Sequence, residues 1–173
     1  MRKVSGAAIA VIMGVALYFT LFWGFDALRM LTSPTYGLED VWRSQSVFGI
    51  GRVFGLSPVG LIQLAAFLAT LKLAAAFICA IHIADRFRSF ALGGKPSSEM
   101  LEGSLILVVL ITIASAIPAI SSQNHELARE HVMQLLLAGV AIALCMLERS
   151  YRRHTDLVES VQLPETASFA PWR

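Results

Sequence analysis

PVGLIQLAAFLATLKLAAAFICAIHI, residues 58–83, is the stretch whose reading decides the fold. Its apolar run is broken by a single charged side chain, Lys72. About 20 predominantly apolar residues are needed to cross a hydrocarbon core of roughly 30 Å. Inside lipid the backbone must satisfy its own hydrogen bonds, so a run of this length is read as an α-helix. Ser57 suits the N-cap and Pro58 the first helical position, where its missing N–H costs nothing.

Three further runs share this character: residues 4–25, 103–120 and 131–147. The first is bounded by Arg2 and Lys3 on one side and Asp26 on the other. It is longer than the apolar core of a cleaved signal peptide, and Phe22, Trp23 and Phe25 close it like an interfacial aromatic belt. It therefore reads as a retained span. The expected fold is all-α: an integral membrane four-helix bundle over residues 1–150, followed by a polar tail, 151–173, expected to be disordered.

Composition supports this. The chain of 173 residues is 56% hydrophobic and 15% charged, against about 25% charged in ordinary soluble domains. Mean hydropathy is +0.67. A net charge of +2 with no basic stripe argues against nucleic acid as a partner. The two cysteines, Cys79 and Cys145, fall inside apolar runs and read as buried thiols rather than a disulfide.

Loop lysines and arginines set the expected direction. Arg2, Lys3, Arg86, Arg88, Lys95, Arg149, Arg152, Arg153 and Arg173 fall on one side; Arg29, Arg43, Arg52 and Arg129 fall on the other. The richer side is cytoplasmic by the positive-inside rule, which places both termini there and the chain in a bacterial-style inner membrane.

Residues 26–57 are long for a helix connection. Trp42, Phe48 and Phe54 suit a short helix in the headgroup zone, with a glycine-permitted re-entrant loop as the alternative. Gly49, Gly51 and Gly55 have the wrong spacing and context for a dinucleotide fingerprint. Pro118 is expected to kink or end the third span locally. Gly6, Ala10 and Gly14 form a small-residue ridge on the first helix, and Ala65, Ala66, Ala69, Ala75, Ala76 and Ala80 line the second; such ridges let helices approach closely.

Lys72 is the most informative residue. An ammonium deep in a span costs at least about 2.5–3.5 kcal/mol, so it is a functional candidate by default. No Asp or Glu lies within the four spans as drawn. Lys72 is then left to snorkel, to bond Thr112 and Ser115 at similar depth in the third span, or to find an anion elsewhere. Ser104 shares the Thr112 and Ser115 face.

His82 and His131 fall at opposite membrane faces and cannot share a haem iron, while His125 and His154 lie outside the spans. Cys79 and Cys145 fall at comparable depth with His82 one turn from Cys79, a candidate metal set without any CxxC or HxxxH spacing. No catalytic residue, cofactor or metal is expected. The leading expectation is a non-catalytic accessory or scaffold component of a membrane assembly, with lipid and other membrane subunits or a second copy as partners. A small oligomeric transporter or channel using Lys72 is the alternative, and a metal or redox protein the least favoured.

Overall fold

The computed structural model describes residues 6–92, 99–121 and 123–162. Expectations for Arg2, Lys3, the 93–98 turn and residues 163–173 lie outside the described residues, as do the side chains of Trp42 and His154. Five helices follow in order: α1 Gly6–Thr32, α2 Val41–Phe54, α3 Pro58–Leu92, α4 Glu99–Ser121 and α5 His125–Gln162. Four of them, α1, α3, α4 and α5, are long and apolar enough to cross a membrane.

The packing follows from the side-chain pattern. On α4, Leu105, Val108, Thr112, Ser115 and Ala119 are buried, while Ile106, Leu110, Ile113, Ile117 and Ile120 are exposed. Both sets recur every three or four residues, so they are opposite faces of one helix. A soluble helix would carry charge on its outer face. Here the outer face is as apolar as the inner one, the pattern of a helix solvated by hydrocarbon.

α1 packs chiefly against α3 and α4 against α5, with α3 and α4 joining the two pairs. The α4–α5 turn is short: Gln123 takes a left-handed φ of 55°, and Asn124 Oδ1 accepts from Leu127 N at 3.2 Å as an N-cap. α2 lies between α1 and α3 in sequence and packs on α4 and α3 at that same end of the bundle. Asn124 Nδ2 donates to Gln45 Oε1 at 2.9 Å, tying α2 to the turn. α2 stops at Gly55, whose φ of 62° is left-handed; the N–H groups of Gly55 and Leu56 close on Arg52 and Gly51. That double closure is a Schellman motif, which favours glycine at this position.

Several boundaries differ from those expected. α1 runs past residue 25 to Thr32, because Phe19, Trp23, Ala27 and Met30 continue one buried stripe beyond Asp26. α3 continues to Leu92, and α5 both starts before residue 131 and stays helical to Gln162, so the first part of the expected disordered tail is helix. Segment 26–57 contains a helix, with Phe48 and Phe54 exposed on it. Pro118 lies inside α4, which carries on to Ser121. Among the described residues the Gly6-Ala10-Gly14 ridge is not a packing seam. All three residues are exposed, and a Cβ added at Gly6 or Gly14 would meet nothing within 4 Å.

Candidate functional site

Asp26 occupies a core-facing position of α1, three residues after Trp23 and four before Met30. Lys72 reaches it from α3, its Nζ donating to Asp26 Oδ2 at 2.9 Å. Arg43 comes down from α2, its Nε donating to Asp26 Oδ1 at 2.6 Å. A second Arg43 nitrogen pairs with Asp40. Asp40 is the N-cap residue of α2 yet makes no side-chain cap bond; its carboxylate turns to Arg43 instead.

One carboxylate therefore bridges two cations from two other helices. The Asp26 and Arg43 side chains are each 6% exposed and that of Lys72 is 19% exposed. Taking such charges out of water costs several kcal/mol each, and close hydrogen-bonded pairing offsets that cost. The Trp23 ring, its centroid 5.9 Å from Lys72 Nζ, adds a cation–π contact.

Lys72 is thus not left to snorkel or to wait for an external anion. The expected bond to Thr112 does not form: its hydroxyl donates to Val108 O at 2.7 Å within its own helix. Ser115 does lie near Lys72. Both line a small, partly open cavity of about 30 Å³, together with Glu130, His131 and Gln134 from α5. That volume holds about one water. Gln134 Nε2 donates to Glu130 Oε1 at 3.3 Å, while both ring nitrogens of His131 are buried with no hydrogen-bond partner among the described residues.

A second charge group closes the other end of the bundle. Arg86 donates to both oxygens of Glu148, at 2.9 and 3.2 Å, and Arg149 donates to Glu102 at 3.1 Å. Between the two groups, Ser104 Oγ donates to Ala75 O at 3.0 Å and lies 3.4 Å from Cys79 Sγ. His82 and Cys145 are buried as well. The proposed Cys79, His82 and Cys145 set is not assembled: among the described residues no group of three or more His, Cys, Asp or Glu is placed to hold a metal ion.

Sequence reasoning missed Asp26 and Arg43. The signal was there for Asp26, since the apolar stripe of α1 continues on both sides of it. For Arg43 the only hint was Asp40 three residues earlier, one helical turn away. Site and fold together define an all-helical bundle with four bilayer-length apolar helices and an internal charge cluster under the short helix α2. No family model matches the chain, and neither the curated proteins nor the solved structures provide a match.

Proposed function

We propose that this chain is a multi-pass inner-membrane protein with both termini cytoplasmic, acting as a non-catalytic accessory or scaffold component that docks other membrane helices. The observation that carries the reading is a division between inside and outside. The Asp26, Arg43 and Lys72 charges close on one another within the chain, while the Gly6-Ala10-Gly14 ridge is exposed among the described residues. Without a hydrophobic driving force between helices in lipid, close backbone approach over small residues is a main source of association. Surplus Lys and Arg on the side holding Arg86, Arg88 and Arg149 support the cytoplasmic placement.

The transporter alternative draws on Lys72 and the cavity beside it. A cavity of about 30 Å³ offers room for little more than water, so a path for a larger solute needs a different arrangement of α2 and α5. The scaffold reading needs no such rearrangement.

Mild-detergent purification of the full chain, followed by mass spectrometry, tests it. A stoichiometric membrane partner or a second copy is expected, and Ala10→Leu with Gly14→Leu should reduce its recovery severalfold. A solitary monomer from the native membrane, or recovery indifferent to the ridge, would count against the proposal.

A further inference from the structure

Beside the charge cluster, but on the outer surface of α1, an open-sided groove of about 470 Å³ runs along Tyr18, Leu21, Phe22, Phe25 and Arg29. Tyr18, Phe22, Phe25 and Arg29 follow at intervals of four, three and four residues, so they form one stripe of the helix. The Tyr18 and Phe22 rings stack at 5.3 Å and 9°, making a flat wall. Phe25 is 71% exposed. Arg29, at the top of the stripe, is exposed and makes no ion pair or side-chain hydrogen bond among the described residues. The other cation at the groove, Arg43, is already held by Asp26 and Asp40.

We propose that this groove binds one acidic phospholipid, its phosphodiester on Arg29 and an acyl chain along Tyr18, Phe22 and Phe25. Length supports the fit. From Tyr18 to Arg29 the helix rises about 16 Å at 1.5 Å per residue, close to the roughly 15 Å of hydrocarbon in one leaflet. Charge supports it too, because a guanidinium matches a phosphate with two parallel N–H donors. A cation in the last turn of a helix also complements its carbonyl end. That accounts for Arg29 alone and leaves the aromatic stripe leading to it without a role. The inference rests on the membrane placement proposed above and is independent of the docking role.

The test uses the full chain in mild detergent with equimolar phosphatidylglycerol and phosphatidylcholine of matched chains, read by native mass spectrometry. One acidic lipid per chain should be retained about fivefold over the zwitterionic lipid, the preference one surface arginine confers. Arg29→Gln should bring that ratio close to one while lowering the melting temperature by no more than the loss of a helix-end charge does, since Arg29 has no ion-pair partner among the described residues. Phe25→Ala should weaken both lipids and leave their ratio intact. Equal retention by the unaltered chain, or a preference that survives Arg29→Gln, would overturn the lipid site while leaving the membrane placement standing. Displacement of the lipid by millimolar inorganic phosphate would assign Arg29 to free anions instead. A chain that stays soluble without detergent and retains neither lipid would overturn both.

Discussion

Asp26 serves two cations with one carboxylate, and that asymmetry makes the cluster's energetics testable residue by residue. Removing its charge leaves Lys72 part-buried without its ion-pair partner, with only Glu130 across the shared cavity, although Arg43 keeps Asp40. Breaking a buried pair this way costs about 3–5 kcal/mol. Asp26→Asn is therefore expected to lower the unfolding free energy by about that amount in a detergent denaturation series. Lys72→Met removes the cation instead, leaving Asp26 paired to Arg43, and should cost about 1 kcal/mol or less. The double variant Asp26→Leu with Lys72→Met should be more stable than Asp26→Asn alone, because no ammonium is left without a partner. Equal losses for the two single variants would show that the pairs are not the source of stability. Lys72 stood out in the sequence because a lone charge in an apolar run is conspicuous. Its partner did not, because a carboxylate at the end of an apolar run looks like a boundary until the helix is known to continue.

At the scale of elements, α2 is held to the bundle by two glycines that face unequal obstacles. A Cβ at Gly49 would overlap the ring of Pro118, which is rigid and sits inside α4, whereas at Gly51 it would meet the tip of the flexible Leu61 side chain. Alanine in place of a helical glycine gains about 1 kcal/mol of propensity, and overpacking costs about 1–3 kcal/mol. Gly49→Ala is thus expected to be net destabilising by up to about 2 kcal/mol, while Gly51→Ala comes out near neutral as Leu61 changes rotamer. Thermal unfolding of both variants in one detergent checks the order; the reverse order would place α2 elsewhere. Pro118 marks this docking site rather than the end of a helix. From sequence, the segment carrying α2 reads as a short interfacial helix or a re-entrant loop, with nothing to say what it packs against. Its contact with α4 joins positions about 70 residues apart, which periodicity does not encode.

Across the whole molecule, the four apolar helices were the legible part, since each run exceeds or approaches the length a bilayer demands and nothing tertiary is needed to see it. Their ends were less so. α1, α3 and α5 all extend past the apolar runs, because packing against a neighbour and helix capping, not hydrophobicity, decide where a helix stops. The Gly6-Ala10-Gly14 ridge was visible as a seam, yet among the described residues a Cβ added at Gly6 or Gly14 would meet nothing within 4 Å. The proposed four crossings by α1, α3, α4 and α5 would put the two ends of this chain on the same face of the membrane. Reporter fusions active only in the cytoplasm or only outside it, placed at each end of the full chain in a bacterial inner membrane, measure this directly. Cytoplasmic activity from both fusions is the predicted result; activity from the two ends on opposite faces would mean an odd number of crossings and would contradict the four-span bundle.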